Sequence, residues 1–498
     1  MRRFWIADRR RAAIMKLIIK FFPEITIKSR QVRRRFVQQL KKNLRVLLLP
    51  IDPDVKIGGD WDSLELLVSD EPERLAAIIE RLKNTPGIVH FNEIHEYPLG
   101  SLDELAQLCL ERFGASLKGK TFAVRCKRVG HHGFTSTEVN QRVGTLLMAQ
   151  TGAAGVSLRE PEVVVALEIR NQRVFLIQAR HEGMGGFPLG TMEPVLSLMS
   201  GGFDSTVASY QMLQRGLLPH FVFFNLGGRA HELGVRQVAH YLWEKYAASH
   251  RLRFISVPFE GVVADILQNV ENSQMGVVLK RMMLRAASRI AYRRGYHALV
   301  TGEAIAQVSS QTLPNLAVID QATDLLVLRP LITTSKAEII RTARRIGTEA
   351  FSASMPEYCG VISVSPDIYS NPGKVAAAET GFDFSLLDDA VLQATYTDCC
   401  DLELDMEGSA VEVVTQALAG QVVLDIRSVD EQEARPLAIA GVEVQQVPFY
   451  QLNSRFAELD AGRAYLLYCE KGVMSQLHAQ YLLDRGHDNV RVLRLPKG

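Results

Sequence analysis

Three consecutive stretches decide the fold: Pro194 to Met199, then Ser200-Gly201-Gly202-Phe203-Asp204-Ser205, then Thr206 to Arg215. The first is apolar and strand-like, the last has helical spacing, and two glycines mark the turn between them. Gly201 and Gly202 let backbone N–H groups close around phosphate oxygens, while the following helix presents its positive end to the same place. There is no Lys-Ser/Thr pair, so this is not a Walker loop. The plain alternative is a tight strand–helix turn with no ligand; Asp204 and two serines in register speak against it.

Downstream, strand-like and helical runs alternate. His220 to Leu226, Arg253 to Phe259, Ala298 to Thr301 and Leu325 to Val327 read as strands, with helices over Val235 to His250 and Lys280 to Arg294. That alternation predicts a doubly wound parallel sheet with a crevice at the carboxyl ends of its strands. Four further residues are candidates for the crevice. Lys280 opens a helix and would neutralise phosphate, and Gly302 follows a strand where backbone must approach closely. Gln311 lies in polar Ser309 to Thr312, and Lys336 precedes a helix. Singly each reads as a surface residue; behind the glycine loop they read as one nucleotide site.

The N-terminal half has another rhythm. Met15 to Phe22 reads as a strand, and Ser29 begins a helix with Val32, Phe36, Leu40 and Leu44 on one stripe. Arg33, Arg34, Arg35, Lys41 and Lys42 are expected on its other faces. Trp61 to Val68 and Gly87 to Glu96 flank a helical Glu73 to Lys83, the pattern of a small ferredoxin-like α+β unit. Helix, strand and helix follow over Leu102 to Phe113, Thr121 to Arg128 and Thr135 to Gln150. A hairpin then turns at Asn171-Gln172. Gly-rich His181 to Gly190 predicts a linker, and polar Tyr369 to Asp389 separates the sheet from a last α/β piece near Ala417. The expected division is 1–14, 15–75, 76–180, linker 181–193, 194–390, linker 391–416 and 417–498.

Charge is uneven along the chain. From Met1 to Asp60 there are sixteen Lys/Arg against five Asp/Glu; from Gly381 to Gly498, nine against nineteen. One end suits phosphate, the other a protein partner or water. No apolar run approaches the ~20 residues needed to span a bilayer. The five arginines of Met1 to Ile14 come with no apolar core, which excludes a secretory signal. An over-long start is a plainer reading of that stretch than an organelle presequence. Six cysteines without a Cys-x-x-Cys pair suit a reducing cytoplasm and predict no metal site. His131-His132 reads as surface or core.

The tail carries a second constellation. Val422 to Asp425 is a strand ending in Asp425-Ile426-Arg427, and Ala464 to Tyr468 runs into Cys469-Glu470-Lys471-Gly472-Val473-Met474-Ser475 before a helix. A cysteine there faces N–H groups and a helix terminus, which favour a thiolate or persulfide anion. A buried inert thiol is the ordinary alternative. Between the two regions, Met355-Pro356-Glu357-Tyr358-Cys359-Gly360 offers a second thiol on a loop stiffened by proline.

Ser200 to Ser205 resembles the PP-loop of ATP pyrophosphatases, and the Asp-x-Arg and Cys-x-x-Gly context resembles the rhodanese domain. In combination, Met15 to Gly498 resembles the tRNA 4-thiouridine synthetase (tRNA uracil 4-sulfurtransferase) family. The resemblance implies ferredoxin-like, THUMP RNA-binding, PP-loop and rhodanese domains in that order. It implies that ATP binds with adenine at the backbone of Leu198 and Met199. Its phosphates would lie at Ser200, Gly201, Gly202 and Ser205, with Asp204 near the pyrophosphate through Mg²⁺ and Lys336 stabilising the leaving group. It implies adenylation of O4 of uridine 8 in tRNA, a cysteine desulfurase loading Cys469, and Cys359 resolving the product through a disulfide. Sulfur delivery to the thiamine-pathway sulfur-carrier protein is implied too. A small-molecule PP-loop amidotransferase or synthetase is the competing reading, but it needs neither the basic N-terminal half nor Cys469. Cys109, Cys126, Cys399 and Cys400 match no motif.

Overall fold

The computed structural model describes residues 14–59, 63–226, 228–353, 366–402, 411–418, 420–427 and, with short gaps, 432–495. These fall into two compact units that meet at Thr191 and Met192 in sequence.

The first unit runs β1 (Ile14–Phe21), α1 (Pro23–Thr26), α2 (Arg30–Leu48), β2 (Lys56–Gly59), β3 (Ser63–Ser69), α3 (Pro72–Lys83) and β4 (Ile88–Pro98). It continues with α4 (Leu102–Leu117), β5 (Thr121–Val129), α5 (Ser136–Gln150), β6 (Gly155–Val156), β7 (Val163–Arg170) and β8 (Arg173–Glu182). Its strands form one sheet in the order β2-β3-β1-β4-β8-β7-β5-β6. Strand β4 is the joint, antiparallel to β1 on one side and to β8 on the other. Period-two burial puts Leu64, Leu66 and Val68 of β3 inward. Capping boxes at Ser101/Glu104 and Thr135/Glu138 fix where α4 and α5 begin. The hairpin of β7 and β8 turns through Asn171 at φ 51°, a conformation asparagine tolerates.

Two sequence expectations are corrected here. Arg33 is buried, and its Nη1 donates to Thr26 O at 3.2 Å, because the stripe of α2 is wider than four apolar residues. Arg34, Arg35 and Lys42 do face solvent. The glycine-rich stretch after β8 is no free linker. Gly183 and Gly185 donate to Val89 O and Ile88 O, Phe187 packs edge-on against Phe22 and Phe36, and Asn43 Nδ2 donates to Leu189 O.

The second unit begins with β9 (Pro194–Leu198), α6 (Phe203–Gln214), β10 (Leu218–Asn225), α7 (Gly228–Leu242), β11 (Arg253–Pro258), α8 (Glu260–Asn269), α9 (Met275–Arg294) and β12 (Ala298–Val300). Then come α10 (Leu313–Asp320), β13 (Leu326–Leu328), α11 (Lys336–Ile346), α12 (Glu349–Ala353), α13 (Pro372–Glu379), α14 (Ser385–Leu392) and β14 (Thr395–Asp398). The sheet order is β13-β12-β9-β10-β11-β14, parallel except for β14. Chain progression reverses at β9, so the crevice at its carboxyl end is a topological switch point. The stretch expected to be a polar separator is part of this fold: α13 and α14 bury Val375, Leu387 and Val391 in its core. Strand β14, inside the expected linker 391–416, closes the sheet edge.

A smaller parallel sheet follows. It comprises β15 (Val413–Val414), β16 (Val422–Asp425), β17 (Glu443–Gln446), β18 (Tyr465–Tyr468) and β19 (Val490–Leu493), with α15 (Val473–Asp484) between the last two. Its order is β15-β19-β18-β16-β17. No described helix is long and apolar enough to cross a membrane.

One buried ion cluster fixes α13 to α9. Arg281 Nε lies 2.6 Å from Glu379 Oε1, and Arg285 contacts both carboxylate oxygens at 2.9 Å. Burial disfavours the Glu379 charge, but the two guanidiniums outweigh it and hold the carboxyl below its ordinary value. Removing one partner of such a cluster costs about 3–5 kcal/mol. Glu379→Ala is therefore expected to lower the urea midpoint of the second unit's transition. The contribution of a depressed carboxyl is complete above about pH 4.3 and disappears only as pH falls through the lower folded-state value. Wild type and variant should thus converge in acid, as measured by urea titrations at several pH values.

Candidate active site

The crevice is assembled on the turn from β9 to α6. Gly201 sits at φ +79°, a region that favours glycine, and Gly202 caps α6 without a side-chain acceptor. Ser205 folds back: its Oγ accepts from Ser200 N–H at 3.1 Å and pairs with Ser200 Oγ at 2.9 Å. His231 of α7 contacts Ser200 O at 3.3 Å, and Ser352 of α12 donates to Gly201 O at 3.1 Å. Burial holds the His231 imidazole below its usual pKa, opposed by its bond to Ser200, so a neutral ring braces the loop. Leu198 closes β9. Met199 donates its N–H to Val222 O and turns its buried side chain toward the hydroxyls of Ser205 and Thr206.

Gly302 meets the loop from the other side. A Cβ there would stand 2.5 Å from Asp204 C and 2.6 Å from Ser205 N. The close approach expected at Gly302 is therefore to the first turn of α6. That contact brings the carboxyl ends of β9 and β12 together.

Asp204 is the polar centre. Lys336 Nζ lies 2.9 Å from each of its oxygens, and Gln307 Nε2 donates to Oδ2 at 2.8 Å. The Lys336 ammonium also stands over the Phe203 ring at 5.5 Å. A second cluster surrounds Glu303, which Lys280 contacts at 2.8 Å, Arg329 at 2.8 Å and Thr301 at 3.1 Å. Burial works against the Glu303 charge, but the two cations prevail and hold its carboxyl below the ordinary range. Lys280 does not open its helix as expected; it lies one turn inside α9, where Glu303 orients it. Gln311 is buried, and its Oε1 has no hydrogen-bond partner among the described residues. A buried acceptor left without a partner is a place for an incoming N–H group. The glycine loop, the helix terminus, two lysines and this acceptor together fit a nucleoside triphosphate.

Cys469 ends β18 and is buried. Ser475 approaches its Sγ twice, through the backbone N–H at 3.3 Å and through Oγ at 3.4 Å. Beside it, Asp425 and Arg427 form a buried bidentate pair at 2.9 and 2.7 Å, and Ile426 N–H donates to Tyr468 O. The Asp-x-Arg motif thus locks the strand end that carries the cysteine. Cys359 and residues 470–472 lie outside the described residues. The four cysteines without a motif are poor nucleophiles. Burial pushes the Cys109 thiol up to about 12, Cys126 to about 11, and Cys399 well above its usual value; Cys400 is raised by burial and by Asp401.

Sequence reasoning missed Gln307, Arg329, His231 and Ser352, and took Thr301-Gly302-Glu303 as a crevice segment without giving Glu303 a role. Arg329 directly follows β13 and Glu303 lies three residues past β12, and strand ends in a parallel sheet are where ligands bind, so that signal was present. His231 and Ser352 carried none, since they act through tertiary contact.

The crevice defines the class: an α/β nucleotide-binding enzyme of the PP-loop type. The thiamine biosynthesis protein (ThiI) family model matches residues 190–384, the THUMP domain 100–177, and the ThiI ferredoxin-like domain 16–92. The chain is 60% identical over 483 residues to a tRNA sulfurtransferase of Pseudomonas aeruginosa (strain LESB58), covering 96% of this chain and all of the relative. One from Azotobacter vinelandii is 58% identical over the same length. A solved 4-thiouridine synthetase–RNA complex with bound ATP is similar at TM-score 0.67 and 27% identity, over 78% of this chain and all of that one. PH1313 from Pyrococcus horikoshii shares the fold alone, at TM-score 0.50 and 18% identity over 67% and 99% of the two chains. The chain belongs to the tRNA sulfurtransferase family. The competing small-molecule synthetase reading gives way.

Gly302→Ala is expected to force the α6 turn out of place, since the overlapping atoms are backbone. Overpacking of this kind costs about 1–3 kcal/mol of stability. ATP affinity, measured by calorimetry, should fall at least tenfold, or about 1.4 kcal/mol, while far-ultraviolet dichroism stays native.

Proposed function

We propose that this enzyme uses ATP to adenylate O4 of uridine 8 in tRNA and replaces that oxygen with sulfur carried on Cys469. The observation that carries the reading is the Asp204–Lys336 pair at the amino end of α6, beside Gly201 at the switch point. Lys336 supplies positive charge for a leaving pyrophosphate, and the N–H groups of 200–202 cradle phosphate oxygens. Asp204 is the carboxylate that would share a Mg²⁺ with the phosphates, an ion commonly held by one or two carboxylates plus the nucleotide. The backbone at Leu198 and Met199 borders the adenine side, and the Gln311 acceptor suits a base N–H. Lys280, turned by Glu303, adds charge for the phosphates.

A cysteine desulfurase would load the terminal sulfur onto Cys469, where the Ser475 donors stabilise an anionic persulfide. That sulfur attacks C4 of the activated uracil and AMP departs, leaving Cys469 linked to the base through an S–S bond. Cys359 thiolate then attacks Cys469 Sγ, forming a Cys359–Cys469 disulfide and releasing 4-thiouridine; a dithiol reductant restores both thiols. The flanks of residues 354–365 support Cys359 in this role. Ser352 is tied to Gly201 O, while Asn315 and Gln274 hold Asp367 and Ser370 beyond the segment. The C-terminal parallel sheet serves as the rhodanese-type carrier domain, which also delivers sulfur to the carrier protein of thiamine synthesis. A cytoplasmic setting follows from a tRNA substrate.

Asp204→Ala should reduce tRNA-dependent AMP release by about a hundredfold or more, yet leave Cys469 able to accept radiolabelled sulfur from cysteine and a desulfurase. Cys469→Ala should lose that label. Cys359→Ala should take it up but not turn over, and wild type after one turnover should yield a peptide linking the two cysteines. Normal thiolation by Asp204→Ala would defeat the site assignment.

The exposed basic face of α2 should bind RNA phosphate. Replacing Arg34, Arg35 and Lys42 with alanine is expected to weaken tRNA binding and to shallow its salt dependence by about 0.9 for each phosphate no longer neutralised. Arg33→Ala should act on folding instead. Filter binding across a salt series separates the two.

A further inference from the structure

The Asp204 carboxylate has a second donor that the leaving-group chemistry does not use. Among the described residues, Lys336 and Gln307 supply the side-chain hydrogen bonds to its oxygens. Gln307 comes from a different element, the loop after β12, and crosses to the first turn of α6. Its backbone is set by Ala306 at φ +60°, a conformation that costs a non-glycine residue about 1–3 kcal/mol and collects at functional sites. The turn is closed by Ala306 N–H donating to Gln311 O at 3.0 Å. Gly302 fixes the backbone of Asp204 but leaves its side-chain torsions free.

Phosphate in the crevice would alter this arrangement. Lys336 is a flexible cation and will be drawn from one carboxylate toward several phosphate charges. Until a shared cation is seated, a bare Asp204 would be repelled by the same charges and swing out. A neutral amide is not drawn away, so Gln307 stays. We propose that Gln307 is a positioning residue of the adenylation step, holding Asp204 aimed into the crevice while Lys336 engages the leaving pyrophosphate. The proposal rests on the adenylation reading above.

The test is tRNA-dependent AMP release by the full chain, with ATP varied. A hydrogen bond to a charged group is worth about tenfold to a hundredfold in rate, so Gln307→Leu should lose that much kcat. Its KM for ATP should stay within about twofold, since the bond matters after binding. Gln307→Glu keeps the shape and loses the donor. It should fall as far near pH 8 and recover relative to wild type toward pH 6, because only a protonated carboxyl there can donate. Sulfur loading of Cys469 and far-ultraviolet dichroism should be normal in both, which together with the unchanged KM for ATP report an intact fold. Wild-type kcat in Gln307→Leu, a change confined to KM, or a Gln307→Glu profile parallel to wild type would each overturn the proposal. If Asp204→Ala is inactive while Gln307→Leu is normal, only this inference fails; if Asp204→Ala is active, the adenylation reading fails with it.

Discussion

No side chain fits at position 302. The backbone of Gly302 lies against that of Asp204 and Ser205 at distances that exclude even a methyl group. Because the contact is between main chains, it cannot be relieved by a rotamer change. It ties the carboxyl end of β12 to the amino end of α6, and the two carboxylates of the crevice, Asp204 and Glu303, are placed from those two anchors. Glu303 follows the contact and sets Lys280; Gln307 lies five residues beyond Gly302 and reaches Asp204. The acidic and cationic groups reach across the crevice without crowding because their backbones are already joined.

The crevice and the strand end at Cys469 manage charge in different ways. In the crevice, carboxylates and cations neutralise one another in clusters, and Glu303 stays ionised although buried because two cations surround it. Such a site has positive charge in reserve that an anion can redirect. At Cys469 a backbone N–H and a hydroxyl approach the sulfur, and the nearby Asp425–Arg427 pair is consumed in fixing the strand end. In the carrier role proposed for Cys469, donors of this kind would stabilise an anionic sulfur.

Much of this was legible in the residues. The β/α alternation, the glycine turn and Asp204 gave the second unit and the centre of its crevice, because local periodicity and turn chemistry act within a few residues. Lys336 stands out in the sequence because it sits at a helix start, and the fold pairs it with Asp204. Gln307 does not stand out, since a glutamine in a polar loop becomes a ligand of Asp204 only once β12 and β9 are neighbours. Arg33 was misplaced for a related reason: its neighbour on α1 supplies a carbonyl that pattern reading does not see. The stretch 369–389 read as polar because short helices alternate charged and apolar faces, and its few core residues became decisive only when packed on α9.

Strand β4 has a consequence for how such chains can be taken apart. The family models for the first two segments end at residue 92 and begin again at residue 100, yet a single strand, Ile88–Pro98, fills the interval and is laddered on both sides. Modules recognised by sequence are therefore not separable pieces of matter here. Cutting between them strips one edge of a shared sheet and bares a row of backbone donors and acceptors, which in water invite another strand to pair. Any exchange of one segment for a homologue has to carry this strand with it, so the two are inherited as one mechanical part.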